Sequence, residues 1–453
     1  MSNPGDADAT PITSVRQLAD YMASGSKPAQ QYSIGTEHEK FGFRTSDYAP
    51  PPYEPQGIRA ILEGIGRGGY EPILDHGNPI GLKRGDASVS LEPAGQLELS
   101  GGMLTDLHQT AGEFQAHFDE LRAVAEPLGL GFAPLGFHPT LSRAQMPWMP
   151  KSRYAIMRRY MPKVGSLGLD MMTRTCTVQV NLDFSSEADM AEKLKVSLAL
   201  QPIATALFAN SPFTEGRPNG FLSYRAQVWT DTDNQRSGMP ALMFAEDFGF
   251  ERYVEWVLDV PMYFVMREGE IIDLAGASFR DFMAGKLTHP GVGVATMGDF
   301  ADHLTTVFTD VRLKKFLEMR GADAGRPDMM VAQSALWVGL LYDNAALAAA
   351  GELVRRHDWS EYAALRPAVA REALGAKLGR GTVRDIARDM LAIADGGLRA
   401  RGLLDAQGRD ETIHLDPLRD LVTGGPTQAE YWLERFNGAW NGNLTKIFDE
   451  AAI

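Results

Sequence analysis

Glu37 and Glu39 of "YSIGTEHEKFGF" (32–43) sit one residue apart in an alternating stretch, a spacing that points to chemistry. On a β-strand side chains alternate between faces, so the two carboxylates share a face with Phe41 and Phe43, while Ile34, Thr36 and His38 take the other. Like charges side by side on a strand repel, and the pair needs a neutralising partner. A second pair lies in "ASVSLEPAGQLELS" (87–100), where alternation on both sides of Pro93-Ala94-Gly95 predicts a hairpin with a three-residue loop. That register gathers Ser88, Ser90, Glu92, Gln96, Glu98 and Ser100 on one face. Val89, Leu91, Leu97 and Leu99 fill the other. "RLKKFLEMR" (312–320) reads as one strand with Phe316, Glu318 and Arg320 on a face, and "TCTVQVNLDF" (175–184) as another with Gln179, Asn181 and Asp183 together. Taken singly, such patterns also describe a solvated strand face or a cross-strand salt bridge. Together, carboxylates converging out of bulk water require cations, and hard oxygen donors select Mg²⁺ or Mn²⁺ over zinc. A Glu two residues from an Arg adds a pair suited to a metal and a transferring phosphoryl group.

The elements that must position these residues follow from periodicity. "SVRQLADYMASG" predicts a short helix with Ser14 as N-cap and Gly25 as stop, and another helix covers 56–66 after the Pro-rich break at 48–55. Leu107, Ala111, Phe114, Phe118, Leu121 and Ala125 recur at helical spacing, and a further helix follows the 175–184 strand. From about residue 328 the Ala- and Leu-rich remainder is largely helical, with a break near "LGRGTVRD". Antiparallel strands interleaved with helices predict an α+β fold. The expected organisation is a flexible tail over residues 1–11 and one catalytic domain over 12–453, its sheet core at about 32–325 and its helical part at about 328–453.

A formal charge of −14 makes nucleic acid and anionic membranes poor partners. No secretory signal is readable at the N-terminus, and apolar runs such as "ALWVGLLY" (335–342) fall far short of the ~20 residues of a membrane helix. The single cysteine, Cys176, suits a reducing compartment, and a cytoplasmic location is expected. Cys176 falls on the apolar side of its strand with Val178, Val180 and Leu182, which points to burial and not to a nucleophile. "AGKLT" lacks the residues of a P-loop, which excludes that nucleotide cradle and not ATP itself. No H-E-x-x-H occurs, and the histidines show no zinc spacing.

The blocks "IGTEHEKFGF", "SLEPAGQLELSG", "CTVQVNLDF", "LFANSPFTEGRPNGFLSYRAQVWTDTD", "LDVPMYF", "HLTTVFTDVRLKKFLEMRGAD" and "WVGLLYD", in order over residues 34 to 343, resemble glutamate–cysteine ligases of the plant and alphaproteobacterial type. The resemblance implies a glutamine-synthetase-like core: a curved antiparallel sheet forming an active-site funnel, surrounded by helices. It implies Glu37, Glu39, Glu92 and Glu98 as metal ligands, and Gln179 where related ligases place a histidine ligand. Glu318 and Arg320 match that family's last metal ligand and phosphoryl-stabilising cation. The departure is the cysteine count. Plant members are regulated by disulfides that one cysteine cannot form, so no redox switch is expected here.

The activity so implied is attack of the γ-carboxylate of glutamate on ATP, giving γ-glutamyl phosphate, then attack by the amine of cysteine. Two or three Mg²⁺ would offset the anions. Arg225, with Arg153 as second cation and Trp229 as a wall, is expected to hold the α-carboxylate of glutamate, and Tyr263 to line the cysteine pocket. Partners are then the small molecules glutamate, cysteine and ATP, with a monomer or weak homodimer as the assembly. A sister ligase using another amine and a non-catalytic, metal-stabilised scaffold are the alternatives. ADP release with a panel of amines separates them.

Overall fold

The computed structural model describes residues 8–453. Nine strands build one sheet: β1 (Ile34–Arg44), β2 (Glu71–Asp75), β3 (Asn78–Arg84), β4 (Ala87–Leu91), β5 (Leu97–Ser100), β6 (Leu130–Ala133), β7 (Thr177–Leu182), β8 (Val311–Leu313) and β9 (Leu317–Asp323). Their order is β8-β9-β7-β1-β5-β4-β3-β2, with β6 also paired to β1. All these pairings are antiparallel. β1 is the axis of the sheet. Its first half pairs with β5 and β7, and its last four residues, from Phe41 to Arg44, pair with β6.

The two faces of β1 are buried under different material. On one face His38 meets the rings of Phe114 and Phe118 from α1 (Leu107–Ala125), at 4.3 and 5.2 Å. Thr36 shares a 2.8 Å hydrogen bond with Ser334 of α3 (Pro327–Leu341). On the other face lie Glu37 and Glu39, followed by Phe41 and Phe43 in an apolar cluster with Cys176, Trp432 and Phe448. α2 (Glu187–Leu207) is capped by Ser186, whose side chain accepts from the Asp189 N–H, and carries Glu187 and Asp189 in its first turn, where the helix dipole favours anions. α3 is buried on nearly every side, which its unbroken apolar run anticipates. It packs on α4 (Val383–Arg401), where a Cβ on Gly397 would lie 1.9 Å from the carbonyl oxygen of Gly339. No helix among the described residues is long and apolar enough to cross a membrane.

Three expectations change. The hairpin β2–β3 is absent from the periodicity reading because Pro72 and Pro79 interrupt both strands. The stretch 312–320 is two strands, not one: the Lys314 N–H donates to the Phe316 carbonyl at 2.8 Å, and the chain reverses between β8 and β9. Of the expected tail over 1–11, residues 1–7 lie outside the described residues, but Thr10 is pinned by the Met297 N–H at 2.9 Å, and Ile12, just past the tail, donates its N–H to the Ala295 carbonyl at 2.9 Å.

Candidate active site

Register places the carboxylates. Glu39 faces Glu98 directly across β1 and β5, and Glu37 faces Gln179 across β1 and β7. Glu98 lies opposite Ser90 in the β4–β5 hairpin, and Glu318 opposite Asn181 across β9 and β7. The three-residue loop is present: Glu92 N–H donates to the Gln96 carbonyl at 2.8 Å, and Gly95 supplies the positive φ of 86° that the turn demands. Glu37, Glu39, Glu92, Glu98, Glu318 and Gln179 are all buried. The alternation of four strands has brought them to one face.

Partners then divide the carboxylates into two kinds. Glu37 accepts from the Asn181 amide at 2.9 Å, and Glu39 from the Thr177 N–H at 2.9 Å, both uncharged donors. Burial, then Glu318 and Glu98, pushes Glu37 up to about 7. Burial, then Glu98 and Glu92, pushes Glu39 up to about 8. Glu318 is the opposite case. Arg312 clamps both its oxygens, Nε to Oε2 at 2.7 Å and Nη2 to Oε1 at 2.8 Å. Arg320 adds a third contact at 2.6 Å, and Lys314 lies 3.4 Å away. Burial alone would raise Glu318, yet Arg312, Lys314 and Arg320 hold it well below the usual carboxylate range.

Arg320 also donates to Gln179 Oε1, so the amide oxygen expected as a metal ligand is engaged by the guanidinium. The β9–β7 pairing shifts register between Met319 and Ala322, and the irregularity displaces Arg320 and Gly321 from the regular ladder. Gly321 packs closely there: a Cβ would sit 2.5 Å from Gln201 Nε2, which would have to move aside. The Arg320 carbonyl accepts from Arg225 Nη2 at 2.9 Å, which ties the two guanidinium-bearing residues together.

Two cavities share a wall made of Arg225, Trp229, Phe308 and Arg320. One is lined on its other side by Glu39, Glu92 and Gln179. The second continues to Thr205, Asp310 and Arg366, the last two joined by bonds of 2.8 and 3.0 Å. Two buried donors on this wall, Arg225 Nε and Trp229 Nε1, have no hydrogen-bond partner among the described residues and are available to an anion. Arg225 and Trp229 both line this wall. Arg153 is elsewhere: it is buried beside Tyr154, whose hydroxyl donates to Glu92 at 3.3 Å. Lys151, absent from the sequence reading, is also buried here, and burial followed by Arg153 brings it down to about 7.

Tyr263 is a correction. It is 1% exposed, lies 4.0 Å under the Arg236 guanidinium, and points its hydroxyl at Asp233, so it reaches neither cavity. Phe308, 6.5 Å from its ring, forms the wall instead. Arg312 is the largest omission. A single strand over 312–320 hides it, and only the reversal at Lys314–Phe316 sets it against Glu318.

Among the described residues no three Glu, Asp, His or Cys side chains converge as a ready metal cage. The fit to a divalent cation rests on the donor set: hard oxygens, buried together, with Glu37 and Glu39 raised by burial and then by neighbouring carboxylates.

The family model described as glutamate-cysteine ligase family 2 matches residues 33–450. The chain is 50% identical over 445 residues to the chloroplastic glutamate–cysteine ligase of Nicotiana tabacum, covering 98% of this chain and 83% of that one. With the chloroplastic glutamate–cysteine ligase of Arabidopsis thaliana it shares 50% identity over 436 residues, covering 96% and 82%. The crystal structure of glutamate–cysteine ligase from Francisella tularensis in complex with AMP superposes with a TM-score of 0.58 at 11% identity, over 93% of this chain and 87% of that one, a likeness of fold. The expectation of a cytoplasmic location falls on these findings, because the plant relatives are chloroplastic proteins. A match over nearly the whole length, to a family whose named members join glutamate to cysteine, makes this chain a member of glutamate–cysteine ligase family 2.

Proposed function

We propose that the chain joins the γ-carboxylate of L-glutamate to the amine of L-cysteine at the expense of ATP, releasing ADP and phosphate, at the concave carboxylate face. The observation that carries this reading is the shared wall, where Arg225 and Arg320 separate a carboxylate-lined cavity from a second one. Arg225 Nε and Trp229 Nε1 would take the α-carboxylate of glutamate, which leaves its γ-carboxylate directed along the wall toward Arg320. The Arg320 guanidinium would meet the oxygens of the transferring phosphoryl group as their charge rises. The cysteine amine then displaces phosphate from the acyl carbon, with Phe308 as an apolar wall for the acceptor.

Glu37, Glu39, Glu92 and Glu98 are the residues that would hold Mg²⁺, two or three ions, and these would supply positive charge against the phosphates. Glu318 and Gln179 can join them only by exchanging bonds they now make with Arg312 and Arg320. Residues 12–453 act in this reading as one catalytic unit, with no nucleic acid or membrane partner and a monomer or weak homodimer as its assembly. The test is ADP release with glutamate, ATP and a panel of amines. Release that depends on cysteine supports the reading; release with another amine alone identifies a sister ligase, and none at all removes the catalytic reading.

A further inference from the structure

We propose that Arg312 is a positioning residue for phosphoryl transfer: from behind the site it locks Glu318, and through Glu318 it aims the Arg320 guanidinium. The inference rests on Arg320 serving the phosphoryl group, as above. Arg312 itself is 0% exposed and touches neither cavity. It faces Glu318 as its cross-strand partner, and its fork grips both carboxylate oxygens. The other end of the guanidinium is fixed as well. Nη1 donates to the carbonyls of Thr305 and Val307 at 2.7 and 3.2 Å, so the group cannot swing without leaving backbone acceptors empty.

Glu318 is thereby held in one orientation, and its Oε1 receives Arg320 Nη1 at 2.6 Å. Arg320 is braced from its backbone too, by its N–H on the Asp310 carbonyl at 3.0 Å and by Arg225 on its own carbonyl. The charges make the same point. Arg312, Lys314 and Arg320 all lie against the one carboxylate of Glu318, and only Arg312 holds both its oxygens. With Arg312 gone, Glu318 would lose the fork that fixes both its oxygens, and Arg320 the fixed acceptor that orients it.

Arg312→Lys retains the charge and loses the fork. The expected result is a fall in kcat of about 10- to 100-fold, the scale of lost supporting contacts around an active group, with KM for glutamate changed less than about threefold. Arg320→Lys and the double variant complete a cycle. If Arg312 acts through Arg320, the double variant is close to Arg320→Lys alone; multiplication of the two defects would overturn the assignment. An unchanged kcat in Arg312→Lys would overturn it as well. Unchanged kcat in Arg320→Lys would instead remove the reading of Arg320 on which the proposal rests. Arg312→Gln is the second variant, each protein being assayed below its own measured Tm. Should neither variant fold, Arg312 is a residue of the fold and the proposal fails.

Discussion

Glu39 and Glu318 are the same residue type, both buried on strands of one sheet, and their carboxyl groups are displaced in opposite directions. The difference lies in what each strand brings opposite. β5 sets Glu98 against Glu39, so burial and like charge act together. β8 sets Arg312 against Glu318, and three cations outweigh burial. At Glu39 burial and neighbouring carboxylates raise the group, and at Glu318 three adjacent cations lower it. In the reaction proposed above, which passes through an acyl phosphate, the half of the face around Glu39 would take up metal cations and the half around Glu318 would meet developing negative charge.

The comparison breaks most severely at the anionic half. Glu39→Gln and Glu98→Gln each remove a ligand charge while keeping shape, and turnover should fall at least ~100-fold at modest Mg²⁺, with partial recovery at high Mg²⁺. Near-normal rates in both variants would remove the metal role from these carboxylates. At the cationic half, Arg320→Lys keeps the charge but cannot bridge two oxygens, and kcat should fall on the order of 10²-fold with KM for ATP little altered. If only Tm moves, Arg320 is a partner of Glu318 and nothing more.

Much of this contrast was legible in the sequence, because strand alternation is a strong rule. Glu37 with Glu39, and Glu92 with Glu98 around a three-residue loop, are where period-two reading places them. The cationic half was not. The turn at Lys314–Phe316 contains no Gly, Pro, Asn or Asp, so nothing local announces it, and Arg312 stays hidden without it. Tyr263 was misplaced for a different reason. A Tyr flanked by apolar residues suits a pocket wall or a buried stack, and only the packing of Arg236 decides. Arg225 and Trp229 were reachable through family resemblance alone, since a five-residue helix at Tyr224–Val228 carries no chemical signature of its own.

A gentler probe sharpens the comparison through pH. Glu37 at about 7 and Glu39 at about 8 stand above their unfolded values near 4.3. Between those limits the folded chain binds more protons than the unfolded one, so the stability these groups contribute is complete below about pH 4 and is lost as pH rises through 7 to 8. Buried Lys40 and Lys151, both lowered to about 7 chiefly by burial, act in the opposite sense above that pH. The informative quantity is therefore a difference. In EDTA, Tm of the wild type should decline relative to Glu39→Gln between pH 6 and 8, by on the order of 2 °C, and Mg²⁺ should flatten the decline. Parallel profiles for the two proteins would show that Glu39 is ionised throughout and balanced by a neighbouring cation.

The smallest effect belongs to Cys176, which adjoins the anionic half without joining it. Its thiol is 0% exposed, in an apolar cluster with Phe41, Leu135 and Trp432, and burial first, then Glu39, pushes it well above the ordinary thiol range. A buried, protonated thiol is a poor nucleophile and a poor partner for a disulfide. Activity should therefore be indifferent to dithiothreitol and to mild oxidant, and Cys176→Ala should stay active with only a packing cost. Cys176→Ser should lose more stability, roughly 1–3 kcal/mol if its hydroxyl finds no acceptor among those rings. Activity under both redox conditions, with a non-reducing gel run in parallel, decides the matter. A reversible change in rate that tracks a disulfide-linked dimer would mean that Cys176 reaches the surface, and that the cluster around Phe41 opens in solution.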